Sequence, residues 1–294
     1  MNYYDEIKKE LLNNEITKKV KNYSINKSDL TMYYNIGKLL KEAGKHYGEG
    51  IIKEYSIRLT SEFGKGYTFT SLTRMKKFYN LIEKLATASQ HLSYGNYVEL
   101  LPYSDIDKIN YYIKITEEEN LSVRELRKKI KSNEYERLDE ETKKKLKVKE
   151  ELKVPDLVKN PILIKNNFNY NEISEKVLKK LILEDIESFL KELGNGFSFI
   201  GSEYKIKIGD RYNYIALLLF NYEFNCFVVV ELKVIELKKE HIGQIEFYIN
   251  YIDTNVKSIN QNKTIEIIIC KKENKYVIEY CSDDRIIARK YELV

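Results

Sequence analysis

The sequence predicts an α+β chain of two domains. The first is all-α and helix-turn-helix-like, and the second is α/β around a mixed central sheet. Three observations carry this. Apolar residues recur at helical spacing through roughly the first 130 positions. A charge run at 134–153 (EYERLDEETKKKLKVKEELK) ends in Pro155 and Pro161, as a linker or a solvated helix does. Beyond it lie three β-branched, apolar runs, a helix and a further strand. The boundary is placed near 155, giving domains 1–155 and 156–294.

Each element has its own signal. Residues 28–44 carry Leu30, Tyr33, Ile36, Leu39 and Leu40 at helical spacing, with Ser28 or Asp29 as cap. Residues 49–63 repeat that pattern and stop at Gly64. A third helix is expected to start at Thr70 or Ser71 and to bury Leu72, Met75, Phe78 and Tyr79. No acidic residue occurs between Phe63 and Ile82, whereas Lys65, Arg74, Lys76 and Lys77 do. Helix, glycine turn and basic helix resemble a helix-turn-helix unit, so these four residues are candidate DNA contacts. Two more helices are predicted in 104–130, the second opening with the capping-box spacing Ser122 to Glu125. In the second half, 174–193 reads as one amphipathic helix ending at Gly194. Strands are expected at 197–208, 212–220, 226–234 and 264–270, with a helix at about 238–252.

Composition bounds the function. The chain of 294 residues is 43% hydrophobic and 32% charged, which excludes a disordered protein. No apolar run reaches the roughly 20 residues of a membrane span, and MNYYDEIKKE has no signal-peptide character. A cytoplasmic protein without a membrane partner is expected. Cys226, Cys270 and Cys281 form no metal-binding spacing and read as buried thiols. The net charge of +5 is concentrated in residues 1–150, where 29 Lys+Arg face 23 Asp+Glu. That excess is compatible with phosphate binding without requiring it.

The chemistry is suggested by 214–233, YIALLLFNYEFNCFVVVELK. Two apolar strands flank a short polar turn, and the second ends in Glu231-Leu232-Lys233. Charges at the end of a buried strand are costly unless they have a role. With Tyr222–Asn225 as a four-residue loop, Asn221 faces Cys226 and position 216 faces Glu231. Directly opposed residues share a face about 5 Å apart, and Lys233 follows two positions on. A carboxylate at 216 would complete a Mg²⁺ site with Glu231. The ion would activate water, and Lys233 would stabilise charge on the phosphate. Position 216 is Ala216. A one-residue slip of register would dissolve the cluster.

These residues resemble the PD-(D/E)xK nuclease domain of the YhcG-type proteins, a restriction-endonuclease-like fold. The resemblance runs through FLKELGNGFSFIGSEYKIKI, the hairpin, GQIEFYINYID and IIICKKENKYVIEY to the C-terminus. YYNIGKLL, YGEGIIKE, SLTRMKKFY, YVELLP and LSVRELRKKI resemble the helical domain fused ahead of that nuclease. The resemblance implies a Mg²⁺-dependent DNA endonuclease, with Mn²⁺ as a substitute. Glu231 and Lys233 would be catalytic, and Ala216 would occupy the Asp position. Gln244 and Tyr248 would support the site from one helix face. The Leu232 carbonyl and Glu184 would be further metal ligands. Restriction, phage defence and mobile-element processing are all compatible, as is a homodimer cutting both strands.

Asp210 and Glu203 are candidates for migrated metal ligands, and His241 for a base. Glu231 and Lys233 alone could be an ion pair closing a strand. Ser202-Glu203 and Tyr94-Gly95-Asn96 replace the Arg-Gln and Trp-Ser-His of many members. Ala216 reads as a substitution that silences the enzyme. The alternative is a natural pseudonuclease acting as a nucleic-acid-binding or scaffold protein.

Overall fold

The computed structural model describes residues 2–20, 25–85, 89, 91–168, 170, 172–273 and 285–294, with the backbone alone for 15–20, 25–28, 208 and 239–245. They form two compact units, 1–135 and 136–294. The first unit is helical. It comprises α1 (Tyr3–Val20), α2 (Ile25–Tyr47), α3 (Ile51–Phe63), α4 (Phe69–Leu85), α5 (Tyr94–Leu100), α6 (Ile106–Glu118) and α7 (Val123–Lys131). Ile36 and Leu40 of α2 pack with Leu72 and Met75 of α4. The two helices approach so closely at Gly37 that a β-carbon there would collide with the Met75 carbonyl. Phe78 joins Tyr97, Tyr112 and Leu126 in a second cluster.

The predicted stripe of α4 is buried at all four positions. Its cap differs, because the Ser71 N–H donates to Thr68 Oγ1 at 3.3 Å, so the helix starts earlier than Thr70 or Ser71. Between α3 and α4 lie Gly64, a 3₁₀ turn at Lys65–Tyr67 and Thr68, a longer connection than a tight helix-turn-helix turn. The Ser122–Glu125 capping box is formed at the start of α7. The Ser28 side chain lies outside the described residues.

The second unit begins ahead of the boundary expected near 155. Residues 140–148 form α8 (Glu140–Val148), followed by α9 (Val154–Leu157). This charged segment is tied to the unit that follows it. Arg137 pairs with Glu192, Lys145 lies 3.0 Å from Asp156, and Arg289 Nη2 donates to Asp139 at 2.7 Å. The charge run reads as a spacer because the partners that anchor it, Glu192 for Arg137 and Arg289 for Asp139, lie far along the chain.

The sheet contains β1 (Ile162–Ile164), β2 (Phe197–Ile208), β3 (Arg211–Asn221), β4 (Cys226–Glu236), β5 (Asn262–Lys272) and β6 (Ile286–Leu293). Its order is β1-β6-β5-β4-β3-β2. β2, β3 and β4 are antiparallel neighbours, and β4, β5, β6 and β1 pair in parallel. α10 (Glu175–Glu184) and α11 (Ile186–Leu193) cover one face, packing Leu178, Leu181 and Phe189 on Leu219, Val228 and Val230. α12 (Lys239–Asn255) covers the other with Ile249 and Ile252 on Leu218, Val229 and Ile268.

The single helix expected over 174–193 is two. Asp185 leaves the helical region at φ −136°, and its carboxylate accepts from the Ser188 N–H at 3.2 Å. The apolar rhythm continues across the break, so periodicity alone could not show it. Cys226 and Cys270 are buried free thiols, and burial pushes Cys226 up to about 11. Cys281 lies outside the described residues. Among the described residues, no helix is long and apolar enough to cross a membrane.

Candidate active site

The hairpin register expected from the loop length is the one observed. Asn221 pairs with Cys226, and the ladder runs to Leu217 with Val230. There it stops. Ala216 and Glu231 are the next residues on their strands, at a fork where β3 leaves β4. β3 continues beside β2 alone, while β4 continues beside β5. Strand alternation also fails at this point, since Ala216 and Leu217 both pack toward the core under α10 and α11 whereas Ile215 faces the α12 core.

Glu231 and Lys233 are both buried, and Lys233 Nζ donates to Glu231 Oε1 at 2.7 Å. Burial pushes the Glu231 carboxyl upward, with the Lys233 ammonium opposing it. Burial is the largest single influence on Lys233 and disfavours its charge, but the hydrogen bonds and charges of Glu231 and Glu175 together outweigh it and hold the ammonium above its ordinary value. Glu175, the first residue of α10, comes within 3.6 Å of Lys233. Behind the pair sits Glu266 of β5, opposite Val229 in the ladder. It is completely buried, neither of its carboxylate oxygens has a hydrogen-bond partner, and burial pushes it well above the usual range, with Glu231 adding to the effect.

The other sequence candidates are distributed more widely. Leu232 is buried and pairs with Ile269 in the β4–β5 ladder. Tyr248 is buried in the α12 core. The side chains of Gln244 and His241 lie outside the described residues. Glu184 sits at the far end of α10 and pairs with Lys180 at 3.6 Å, while Glu175 is the α10 acid that reaches the site. Helical periodicity put both acids on one helix without saying which end meets β4. Glu203 is engaged by Lys179, and Asp210 is exposed in the turn between β2 and β3. In the first unit Lys65, Arg74 and Lys77 are exposed, whereas Lys76 pairs with Glu49. Glu175 and Glu266 were missed by sequence reasoning. The signal for Glu266 was a lone charge within the apolar run TIEIIIC.

A cavity of about 810 Å³ opens beside Cys226, Phe224 and Lys263, at the start of β4. It is roughly 17 Å of strand away from Glu231, so it does not belong to this site. The fork does not make a complete divalent-metal site as it stands. Glu231 is held by Lys233, position 216 offers a methyl group, and no cluster of three or more His, Cys, Asp or Glu is gathered to hold an ion among the described residues.

Residues 156–294 match the YhcG PDDEXK nuclease domain, and residues 7–137 match the DUF1016 N-terminal domain. The chain therefore has the two-domain build of the YhcG-type PDDEXK nucleases, which it resembles over nearly its whole length. It is 22% identical to "Putative nuclease YhcG" of Escherichia coli (strain K12), across 92% of this chain and 84% of that protein. Two solved structures align at a TM-score of 0.29 each. A repair endonuclease from Pyrococcus abyssi is 16% identical, covering 43% of this chain and 49% of that one. The EndoMS complex with double-stranded DNA is 18% identical, covering 44% and 48%. The chain thus spans about half the length of those two structures.

Proposed function

We propose that this protein is built as a divalent-metal-dependent DNA endonuclease, with Mg²⁺ as its ion and Mn²⁺ as a substitute, and that Ala216 leaves the present chain silent. The observation that carries the reading is the buried, hydrogen-bonded Glu231–Lys233 pair, which begins one residue past the end of the β3–β4 ladder. Glu231 is a hard oxygen donor of the kind such ions require. Lys233 is a buried ammonium that keeps its charge, suited to a phosphate oxygen on which charge develops. Tyr248 and Gln244 would brace the site from α12, with Glu184 replaced by Glu175 as the acid from α10. Exposed Lys65, Arg74 and Lys77 would hold DNA phosphates from the helical unit. A cytoplasmic role in restriction, phage defence or mobile-element processing fits such an activity, and a homodimer would place two sites on two strands.

The test is Ala216→Asp on supercoiled plasmid with Mg²⁺, beside the unaltered chain and Ala216→Asp combined with Lys233→Met. Ala216→Asp is expected to nick or linearise the plasmid at least about 100-fold faster than either control. Chelation should abolish the gain. Equal rates with and without the aspartate would remove position 216 from the ligand set. That outcome would favour the second reading, a nucleic-acid-binding protein without chemistry, which the alanine itself supports.

A further inference from the structure

Past the fork, β2 and β3 pair only with each other, from Tyr204 opposite Ile215 to Ile208 opposite Arg211. The ribbon turns through two residues, with Gly209 at φ +55°, the backbone that short hairpin turns demand. One side is anchored. Ile206 and Ile215 are fully buried in the α12 core, and the Lys207 N–H donates to the Tyr251 hydroxyl at 3.4 Å. The other side carries Lys205 opposite Tyr214 and Lys207 opposite Tyr212, and all four are exposed. Two cations on β2 thus stand beside two aromatic rings on β3 in a two-by-two block. Lys205 Nζ lies 3.7 Å from the Tyr212 ring centroid, a cation–π contact within the block. Tyr212 and Tyr214 keep about half their surface in water, at 52% and 49%.

This block leads to the site. Tyr212, Tyr214 and Ala216 follow at intervals of two along β3, about 7 Å apiece, so they share a face. Glu203, the acid next to Lys205 on that face, is neutralised by Lys179 of α10. Two exposed rings side by side offer a surface on which flat groups stack, and the two lysines beside them favour an anion. A strand of nucleic acid supplies both phosphates for the lysines and base faces for the rings. Bases stacked in an intact duplex do not offer those faces.

We propose that the β2–β3 ribbon holds an unpaired DNA strand and delivers it to Glu231 and Lys233, so that the substrate class is DNA with a single-stranded stretch beside the cut. This rests on the nuclease reading above for its purpose but is measured without cleavage. The probe is fluorescence anisotropy of the full chain, as it stands with Ala216, on labelled single-stranded, duplex and flapped-duplex DNA. Lys205→Glu with Lys207→Glu should weaken all three by about tenfold or more and flatten the salt dependence. Tyr212→Ser with Tyr214→Ser should weaken single-stranded and flapped DNA about tenfold and leave duplex unchanged. Lys191→Glu, on exposed α11 surface, should change nothing, and matched melting temperatures would confirm folding. The ribbon assignment is overturned if both ribbon variants bind single-stranded DNA as the parent does. Equal losses on duplex and flapped DNA from the tyrosine variant overturn the unpaired-strand assignment. Tighter binding of an RNA strand of the same sequence overturns the assignment to DNA. Failure of Ala216→Asp to cleave leaves these binding results standing, so the two readings fail separately.

Discussion

Glu266 and Lys233 make the residue-scale argument. A carboxyl with no partner, fully removed from water, opposes folding. Glu266→Met keeps the volume and removes the polar group, and should stabilise the fold by about 1–3 kcal/mol in urea titrations. The effect has a sign in pH. Below about 4.5 the folded and unfolded chains both hold the proton. Above that value the unfolded chain ionises while the buried carboxyl does not, so stability falls as pH rises toward neutrality. The gain from Glu266→Met should therefore shrink as pH is lowered toward 4; a gain that grows instead would show that Glu266 is charged in the fold. Lys233→Met poses the opposite problem by stranding Glu231 in a buried site. A loss of about 3–5 kcal/mol is expected, largely recovered on adding Glu231→Gln. At this scale Glu231 and Lys233 were legible because they interrupt an apolar run at a spacing with a chemical meaning. Glu266 interrupts one too, but with no second member in sequence to signal a site.

At the scale of elements, local signals located β2 to β5 well, left out β1 and β6, and ran α10 and α11 into one helix. β-branched runs and a four-residue loop fix a hairpin almost by themselves, and the pairing of Asn221 with Cys226 follows. The break between α10 and α11 depends on one side chain, Asp185, which competes with the helical backbone at its own position. Asp185→Ala should cost about 1 kcal/mol through the lost cap. Lys165 and Ser188 hold the Asp185 carboxyl below its ordinary value. Its contribution is therefore present above that ordinary value of 3.8 and fades as pH falls below it. Thermal melts of the parent and Asp185→Asn should accordingly converge on acidification below pH 4. A gap that stays constant would show that the carboxylate charge plays no part.

At the scale of the whole molecule, the placement of residues 136–155 is the consequential finding. A fragment 136–294 keeps Asp139 on Arg289, Arg137 on Glu192 and Thr142 on Asp156. A fragment 156–294 loses all three, at about 1.5–3 kcal/mol for each bond to a charged group. The longer fragment should unfold cooperatively at clearly higher urea, and equal midpoints would return the charged segment to the role of spacer. What the sequence by itself determined was the split into a helical half and a mixed-sheet half, the hairpin register, and the pair Glu231 and Lys233. Those features are local, written in periodicity, loop length and the position of charge in an apolar run. The tertiary structure alone decided the fork at Ala216, the approach of Glu175, the buried Glu266 and the exposed Lys–Tyr face of the ribbon. Each of these depends on which element lies against a strand, and residues far apart in the chain carry no mark of that proximity.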